Sequence, residues 1–549
     1  MKKIIVIGGL SAGPSAAAKA RREDEDAEII LFEKTENISY ATCGIPYAFS
    51  GKIKTREKLI VVKPDLLRSR FNIDVHLNEP VISIDPEKQE VITDKGTYQY
   101  HKLVYATGGS AIIPPIKNLE SCDLWTTCKT LEDYDKIIKD KVLEDKESIA
   151  IIGAGLIGIE TAENLIKAGK TVHIIERGND VLSIFSPMYS RMIRKVLNSS
   201  GINVHLNTTA TELNLKDNEL ILDNGTIIPA EYLIIGIGVT PNTKMLKEKG
   251  AKTSPNGALV VDEHMQTSLP NIYSAGDCVV LNNLITDNLQ YFPMGTHSNK
   301  GGRTAGLNIS SRKEHRTFKG AYGTGIVKVF DYTAGRTGLT PHLTQNFPYK
   351  ASLIVAKSNP GFYPDGADVF VTLYYEEDSL RIVGAEVFGK IGIDKRIDVL
   401  ATAIYAKLTI EDLPNLDLAY APPFSPAKDP IIVAAYAGEN EMMSKFSTIL
   451  PLELNDMIRS KESFQLIDVR NPDEIVKEGK IENAINIPLD DLRGRIGELD
   501  KQHPVYIYCA KGLRGYIASK ILEHNHFEKV TNISGGFNVW NMLGLPIVK

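Results

Sequence analysis

Twice in this chain a short apolar run gives way to a glycine-rich turn, a helix-forming stretch and a second apolar run that ends on a glutamate. The first copy is Ile4-Ile-Val-Ile7, Gly8-Gly-Leu-Ser-Ala-Gly13, Ser15-Ala-Ala-Ala-Lys-Ala-Arg-Arg22 and Glu28-Ile-Ile-Leu-Phe-Glu33. The second, about 145 residues later, is Ser148-Ile-Ala-Ile-Ile152, Gly153-Ala-Gly-Leu-Ile-Gly158 and, after a helical stretch, Thr171-Val-His-Ile-Ile-Glu176. Glycines let backbone approach a pyrophosphate, the helix N-terminus supplies amide donors and a positive dipole, and the terminal acid accepts from ribose hydroxyls. The second copy holds all three glycines of G-x-G-x-x-G, whereas Leu10 occupies the middle position of the first. One such unit is a weak signal, but a pair suggests two dinucleotides in one α/β polypeptide.

At 549 residues the chain is too long for one core, and roughly three to five domains are expected. A hydrophobic content of 43% supplies those cores, and the net charge of -5 offers no electrostatic attraction for nucleic acid or an anionic membrane. Lys2-Lys3 and the apolar run after them resemble the start of a signal peptide, but Gly8 and Gly9 end the run after four residues, too short for its apolar region. No stretch reaches the ~18 apolar residues of a spanning helix, so a cytoplasmic location is expected. The five cysteines, Cys43, Cys122, Cys128, Cys278 and Cys509, are odd in number and form no C-x-x-C. That argues against a disulfide scaffold, a metal site and a vicinal redox pair, so thiol chemistry here is the work of single cysteines. Cys43 lies just downstream of the first glycine unit in Ile38-Ser-Tyr-Ala-Thr-Cys-Gly-Ile-Pro-Tyr47, where Gly44 and Pro46 predict a turn.

Leu103-Val-Tyr-Ala-Thr-Gly-Gly109 and Tyr232-Leu-Ile-Ile-Gly-Ile-Gly-Val-Thr-Pro-Asn242 are further strands running into small-residue turns, and Asn271-Ile-Tyr-Ser-Ala-Gly-Asp277 ends a strand on a carboxylate. With the two glycine units, these segments resemble the two-dinucleotide-binding flavoprotein disulfide reductases. The resemblance implies two Rossmann-like domains. It assigns the FAD site to Gly8, Gly13, Glu33, Lys34, Thr107, Gly108 and Asp277, and the NAD(P)H site to Gly153, Gly155, Gly158 and Glu176. A carboxylate at position 176 accepts from a 2'-hydroxyl and repels a 2'-phosphate, which favours NADH. Arg177 beside it partly offsets that repulsion and leaves NADPH usable.

From 321 to about 436 the pattern changes to alternating strands, as in Ile326-Val-Lys-Val-Phe330 and Asp368-Val-Phe-Val-Thr-Leu-Tyr-Tyr375, with a helix near 394–406 and the ending Leu418-Ala-Tyr-Ala-Pro-Pro-Phe-Ser-Pro426. This stretch is similar to the family's α+β dimerisation domain. Tyr363 and Tyr420 resemble the phenols that close over the partner's cysteine there, so a homodimer is expected. The polar segment Glu439-Asn-Glu-Met-Met-Ser-Lys445 reads as a linker. Beyond it, Phe464-Gln-Leu-Ile-Asp-Val-Arg470, Gly479-Lys-Ile-Glu-Asn-Ala-Ile-Asn-Ile-Pro488 and Val505-Tyr-Ile-Tyr-Cys-Ala-Lys-Gly-Leu-Arg-Gly515 together resemble an α/β rhodanese domain. Cys509 ends a strand and opens a loop whose amides stabilise a thiolate or persulfide, with Lys511 and Arg514 adding positive charge. The expected domains are 1–112 with 245–320 for FAD, 113–244 for NAD(P)H, 321–440 for dimerisation, 441–452 as linker and 453–549 as rhodanese.

One cysteine in Ser-x-x-x-Cys-Gly-Ile-Pro-Tyr, without a C-terminal His-Glu base, places the chain with the single-cysteine group of that family. The rhodanese extension resembles coenzyme A disulfide reductases that also reduce persulfides and polysulfides. By that resemblance Lys19, Arg22, Ser39 and Thr42 line a coenzyme A channel, with Thr42 where an asparagine often stands. The expected activity is NADH-dependent reduction of coenzyme A persulfide, polysulfide or coenzyme A disulfide at Cys43, with Cys509 handling sulfane sulfur. Two other readings stand beside it: an NADH oxidase or peroxidase cycling Cys43 through sulfenic acid, and a redox sensor or sulfur carrier whose rhodanese module docks a partner.

Overall fold

The computed structural model describes residues 2–310, 315–341, 347–444 and 446–549. They fall into two compact units, 1–179 with 201–323, and 180–200 with 324–549.

The first unit begins with β1 (Lys3–Ile7), α1 (Ala12–Glu23) and β2 (Glu28–Phe32). They join a parallel five-stranded sheet in the order Ile272–Ser274, Lys102–Tyr105, β1, β2, Asp74–His76, with Ile5 opposite Ile30 and Leu103. Ile4, Ile5, Val6, Leu31 and Leu103 are all fully buried, as unbroken apolar strands in a sheet covered on both faces should be. The helix Gly295–Ser310 packs backbone to backbone on α1. A Cβ at Gly302 would stand 2.3 Å from the Ala12 carbonyl oxygen, and one at Gly306 2.3 Å from that of Ala16. Glycine one turn apart on one helix, facing alanine one turn apart on the other, therefore sets how close the two axes come.

After β2 the chain makes one 3-10 turn at Thr42–Gly44 and enters the short helix α2 (Ile45–Phe49). The second parallel sheet is built on β3 (Ser148–Ile152), α3 (Leu156–Lys167) and β4 (Thr171–Ile175). Its order is Ile202–His205, β4, β3, Tyr232–Ile235, Trp125–Thr127. The sequence duplication is thus a structural duplication, strand for strand and helix for helix.

In the second unit, β5 (Lys350–Lys357) and β6 (Asp368–Tyr375) form one side of an antiparallel sheet ordered Gly325–Val329, Tyr332–Gly338, Ile382–Gly389, β6, β5. Then come α4 (Ile393–Tyr405) and α5 (Pro430–Ser444). Arg396 of α4 is buried, and its guanidinium forks onto Asp429 with both contacts at 3.0 Å. The rhodanese sheet runs Ser447–Ile449, Val530–Ile533, β7 (Val505–Tyr508), Gln465–Asp468, Ile485–Asn486, all parallel, with α6 (Leu513–His524) and α7 (Gly536–Met542) following in the chain.

Two expected boundaries move. Residues 441–444 of the expected linker are the last turn of α5, and 447–449 already form an edge strand of the rhodanese sheet, while Lys445 lies outside the described residues. A three-residue strand has too few positions to show a period, and the polar Glu439-Asn-Glu hides a helix whose Glu441 accepts from Thr448 and Tyr375. The segment 180–200, read as part of the NAD(P)H domain, groups with the second unit. Its Ser186 amide donates to buried Glu386 at 2.6 Å, the Tyr189 hydroxyl donates to the Glu386 carbonyl at 3.0 Å, and Arg191 reaches the Leu543 carbonyl at 2.7 Å. A carboxyl group buried in a sheet needs donors: this segment brings the Ser186 amide to one oxygen, and the Tyr374 hydroxyl of β6 donates to the other at 2.6 Å. No helix among the described residues is long and apolar enough to cross a membrane.

Two stability predictions follow from buried charges. Asp429→Ala leaves the Arg396 guanidinium buried and unpaired, which should cost about 3–5 kcal/mol in chemical denaturation; a loss below 1 kcal/mol would show the pair to be solvated. Glu79 accepts from Thr93 at 2.8 Å and Tyr98 at 2.9 Å and pairs with His76 at 2.8 Å. Burial alone would raise its pKa, but these three partners pull it from 4.5 down to about 2. Its contribution is complete above 4.5 and disappears as pH falls towards 2. For His76, burial would lower the pKa, yet the Asp74 and Glu79 carboxylates raise it above 6.5, so its contribution is complete below 6.5 and fades as pH rises through the folded value. Glu79→Gln should cost about 1–3 kcal/mol at pH 6 and flatten the acid limb of the melting curve; an unchanged acid limb would contradict this.

Candidate active site

Each glycine turn of the first unit is closed by the same contacts. Gly8 has a φ of 105° and Gly153 one of 104°, a region where a side chain is strained. A Cβ at Gly13 would fall 1.8 Å from the Gly8 carbonyl oxygen, and one at Gly158 2.1 Å from that of Gly153. The first and last glycines of each motif are therefore required by the close approach of turn and helix. The strand-end acids match too. Glu33 accepts from the Gly9 amide at 2.8 Å and the Thr35 amide at 3.0 Å, and Glu176 from the Ala154 amide at 2.8 Å and the Gly178 amide at 2.7 Å. Both carboxylates are held against the mouth of a glycine turn at a helix start.

A Cβ at Gly155 or Gly108 would meet nothing within 4 Å, so each turn faces open space where a ligand's backbone can lie. The arrangement fits a pyrophosphate on the helix amides and a ribose on the acid. Leu10, where the first motif departs from G-x-G-x-x-G, leaves this geometry intact, because the amide that meets Glu33 belongs to Gly9. Thr107 donates to the Asn242 carbonyl at 2.6 Å, and the Asn242 amide donates back to the Gly108 carbonyl at 2.9 Å, which fixes that turn. Lys34 is exposed beside Glu33. Asp277 ends the turn after Ile272–Ser274, where Ser298 donates to it at 3.3 Å and the Lys129 ammonium stands 3.6 Å away. Sequence reading passed over Lys129, a lone lysine between strand and helix whose meeting with Asp277 depends on the fold.

Cys43 is exposed on the 3-10 turn that leads into α2. The neighbouring Gly44 is buried, and a Cβ there would stand 2.8 Å from Leu59. Pro46 sits in the first turn of α2, where its missing N–H costs nothing. The expected turn is therefore a helix entry, and Cys43 is its outward-facing residue. From the same helix the Tyr47 hydroxyl donates to Glu160 of α3 at 2.9 Å, and Ser50 donates to Asn164 at 2.6 Å. Burial raises the pKa of Glu160, and burial together with Glu160 raises that of Tyr47, so the phenol keeps its proton and donates it in a hydrogen bond from α2 to α3. Sequence reading missed Glu160 as well, although it stands two residues past the last glycine of the second motif. Ser39 takes a φ of 45° on the segment leading to Cys43, and Thr42 opens the 3-10 turn that carries it. Lys19 and Arg22 lie one turn apart on α1, where Lys19 pairs with Glu23 and Arg22 lies over the Phe71 ring at 6.0 Å.

In the second unit, Tyr363 and Tyr420 sit on two knitted loops, 36% and 53% exposed. Asn359 donates to the Pro422 carbonyl at 2.9 Å, and Ser425 donates to Asp429 at 2.7 Å, which ties the Tyr420 segment to the Arg396 pair.

Cys509 follows β7 and is only 2% exposed, with its sulfur accepting from the Gly512 amide at 3.0 Å. Gly512 takes a φ of 116°, which turns that amide back towards the sulfur. Two amides at the start of α7 grip the other side: Phe537 donates to the Cys509 carbonyl at 2.8 Å and Asn538 to the Ala510 carbonyl at 2.9 Å. A Cβ at Gly536 would be 2.3 Å from the Cys509 carbonyl oxygen. Buried Arg470 forks onto Asp468 and lies over Phe537, its guanidinium carbon 3.8 Å from the ring centre, so the Asp468-Val-Arg470 motif braces the loop from below. Arg514 forks onto Glu474 at 2.6 and 2.7 Å; that carboxylate first, and the Cys509 sulfur after it, raise its pKa. Lys511, expected to add charge to the thiol, instead pairs with Asp368 at 2.7 Å.

Family models match this chain in three places. Residues 2–298 match the pyridine nucleotide-disulphide oxidoreductase model, 324–430 its dimerisation domain and 450–543 the rhodanese-like domain. The NAD(P)H coenzyme A polysulfide/persulfide reductase of Pyrococcus horikoshii is 34% identical over 79% of this chain and 98% of its own length. The crystal structure of reduced CoADR-RHD from Bacillus anthracis superposes with a TM-score of 0.93 at 34% identity, covering 99% of this chain and 98% of that one. The NAD-dependent persulfide reductase from A. fulgidus gives 0.91 at 33% identity over 98% of this chain and 100% of that one. With two glycine cradles, a solitary exposed cysteine and a rhodanese loop already in place, the match over more than half its length makes this chain a member of the pyridine nucleotide-disulphide oxidoreductase family.

Proposed function

We propose that this enzyme uses NADH and FAD to reduce coenzyme A persulfide, polysulfide or coenzyme A disulfide at Cys43, and that Cys509 loads sulfane sulfur. The observation that carries the reading is the presence of two single thiols in different settings on one chain. Cys43 is exposed beside the nucleotide cradles, and Cys509 is held under an amide in a rhodanese loop. An oxidase has no use for the second thiol, and a docking module does not need a sulfur cradled in this way.

The turns at Gly8 and Gly13, with Glu33, Lys34, Thr107, Gly108 and Asp277, are proposed to hold FAD, and those at Gly153, Gly155 and Gly158, with Glu176, to hold NADH. FAD, when bound, supplies the two-electron relay between NADH and the thiol. The Cys43 thiolate attacks the outer sulfur of a coenzyme A persulfide; the S–S bond breaks, coenzyme A leaves as thiolate, and Cys43 carries the sulfane sulfur. Two electrons and a proton then release it as sulfide and restore the thiolate. With coenzyme A disulfide the same attack gives a mixed disulfide and one coenzyme A thiol. Lys19, Arg22, Ser39 and Thr42 are proposed to bind coenzyme A, with Lys19 exchanging Glu23 for a phosphate. Tyr363 and Tyr420 are proposed to donate to the leaving sulfur across a homodimer interface. Their exposure, together with that of Phe362 at 78% and Phe424 at 68%, supports a surface that a second copy covers. The unpaired state of all five cysteines accords with the reducing cytoplasm proposed as its location. The proposed domain limits are those expected, except that 180–200 groups with the second unit, the dimerisation domain runs to 444 and the rhodanese domain starts near 447.

Cys43→Ser should lower NADH-dependent reduction of coenzyme A persulfide and disulfide by about three orders of magnitude or more, and Cys509→Ser should abolish sulfur transfer from thiosulfate to cyanide. Full persulfide turnover by Cys43→Ser, or oxygen as by far the best acceptor, would overturn the reading. Glu176→Ala removes an acceptor of the 2'-hydroxyl and should lower kcat/KM for NADH about tenfold while that for NADPH changes less. An unchanged NADH to NADPH ratio would place the ribose elsewhere.

A further inference from the structure

The Cys509 loop does not stand on the rhodanese fold alone. Asp368, the first residue of β6 in the antiparallel sheet, accepts from the Lys511 ammonium at 2.7 Å on one oxygen and from the Asn538 side-chain amide at 2.7 Å on the other. Lys357 of β5 stands 3.1 Å from the first oxygen. Lys511 is two residues past Cys509, and Asn538 is the residue whose backbone amide holds the Ala510 carbonyl. One carboxylate thus grips both sides of the loop, through the residue after Ala510 and through the helix start that braces Ala510. Burial would raise the Asp368 pKa, but Lys511 and Lys357 outweigh it and lower the value, so the group is ionised at neutral pH.

Asp368 also ends the loop that bears Tyr363. That loop is closed by the Ser358 amide on the Ala367 carbonyl at 2.8 Å and by the Ala367 amide on the Ser358 hydroxyl at 3.0 Å. Nothing in the Lys511 and Asn538 contacts is needed to close either sheet, since both ladders are complete without them.

We propose that Asp368 is a positioning residue of the sulfurtransferase centre: through Lys511 and Asn538 it fixes the Cys509 loop so that the Gly512 amide stays on the sulfur, and it withholds the Lys511 charge from that sulfur. The inference rests on the reading of Cys509 as a sulfane-sulfur carrier. In that step the Cys509 thiolate attacks the outer sulfur of thiosulfate, the S–S bond breaks and sulfite leaves with its electron pair. Cyanide then attacks the outer sulfur of the persulfide, thiocyanate leaves and the thiolate returns. The anion being made and unmade on Cys509 is the one the Gly512 amide faces, so loosening the loop acts on turnover more than on capture of thiosulfate.

The test measures thiocyanate formation from thiosulfate and cyanide with the full-length, flavin-loaded protein. Asp368→Asn is expected to lower kcat about tenfold, with the KM for thiosulfate within about twofold of wild type. Asp368→Glu should recover most of the loss, and adding Lys511→Met to Asp368→Asn should reduce kcat no further than the worse single variant, because both break one clamp. Wild-type kcat in Asp368→Asn, or losses that multiply in the double variant, would overturn the proposal. Lys511→Met and Asn538→Leu open the same clamp from the rhodanese side, and wild-type kcat in both would overturn it even if Asp368→Asn folds poorly. A Cys509→Ser protein that still forms thiocyanate would instead overturn the reading of Cys509, so the two failures are distinguishable.

Discussion

The contact on which the first unit depends is the approach of a helix start to the carbonyl of the glycine that opens its turn. At Gly13 and Gly158 a single added carbon would fall within about 2 Å of that oxygen. With the helix seated this low, the second amide of the turn points at the strand-end acid, and Glu33 and Glu176 each accept it. The same closeness spreads outward. Because α1 is held against its turn, Gly302 and Gly306 can bring a second helix into backbone contact with it, and that helix carries the Ser298 that donates to Asp277. A larger residue at any of these glycines would displace the helix amides and the acids facing them together.

The second unit solves a different problem, because its candidate site residues lie on loops, which hold position by individual side-chain and backbone bonds and not by a ladder. The pair of Arg396 and Asp429, with Asn359 on the Pro422 carbonyl, holds the segments of Tyr363 and Tyr420. Arg470, Phe537 and the α7 amides hold Cys509 from within the rhodanese fold, and Asp368 holds its loop from the neighbouring sheet. Buried charges recur here because a buried ion with every donor matched tolerates little displacement.

What could be read without a structure follows from how far apart the cooperating residues lie. The glycine units, the strand-end acids, Asp277 and the Cys509 loop are local patterns, in which a few consecutive residues carry both geometry and chemistry. Lys129 beside Asp277, Glu160 under Tyr47 and Asp368 on Lys511 are 148, 113 and 143 residues from their partners, and no short window contains both members. The 447–449 strand was illegible for the opposite reason: three residues are too few to show a period, and the polar end of α5 before it hid the join.

The sequence by itself determined the two glycine turns with their strand-end acids, because glycine, an apolar run and a terminal acid express those backbone constraints locally; the count and spacing of cysteines left Cys43 single, and the last hundred residues were read through their resemblance to a rhodanese domain. Only the tertiary structure decided where the charges went. Lys511, two residues from the thiol in sequence, gives its charge to Asp368, and the 180–200 segment leaves the domain that encloses it in sequence to bring an amide to a buried glutamate. A long charged side chain pairs with whichever opposite group the fold brings within about 3 Å, and sequence adjacency does not set that distance.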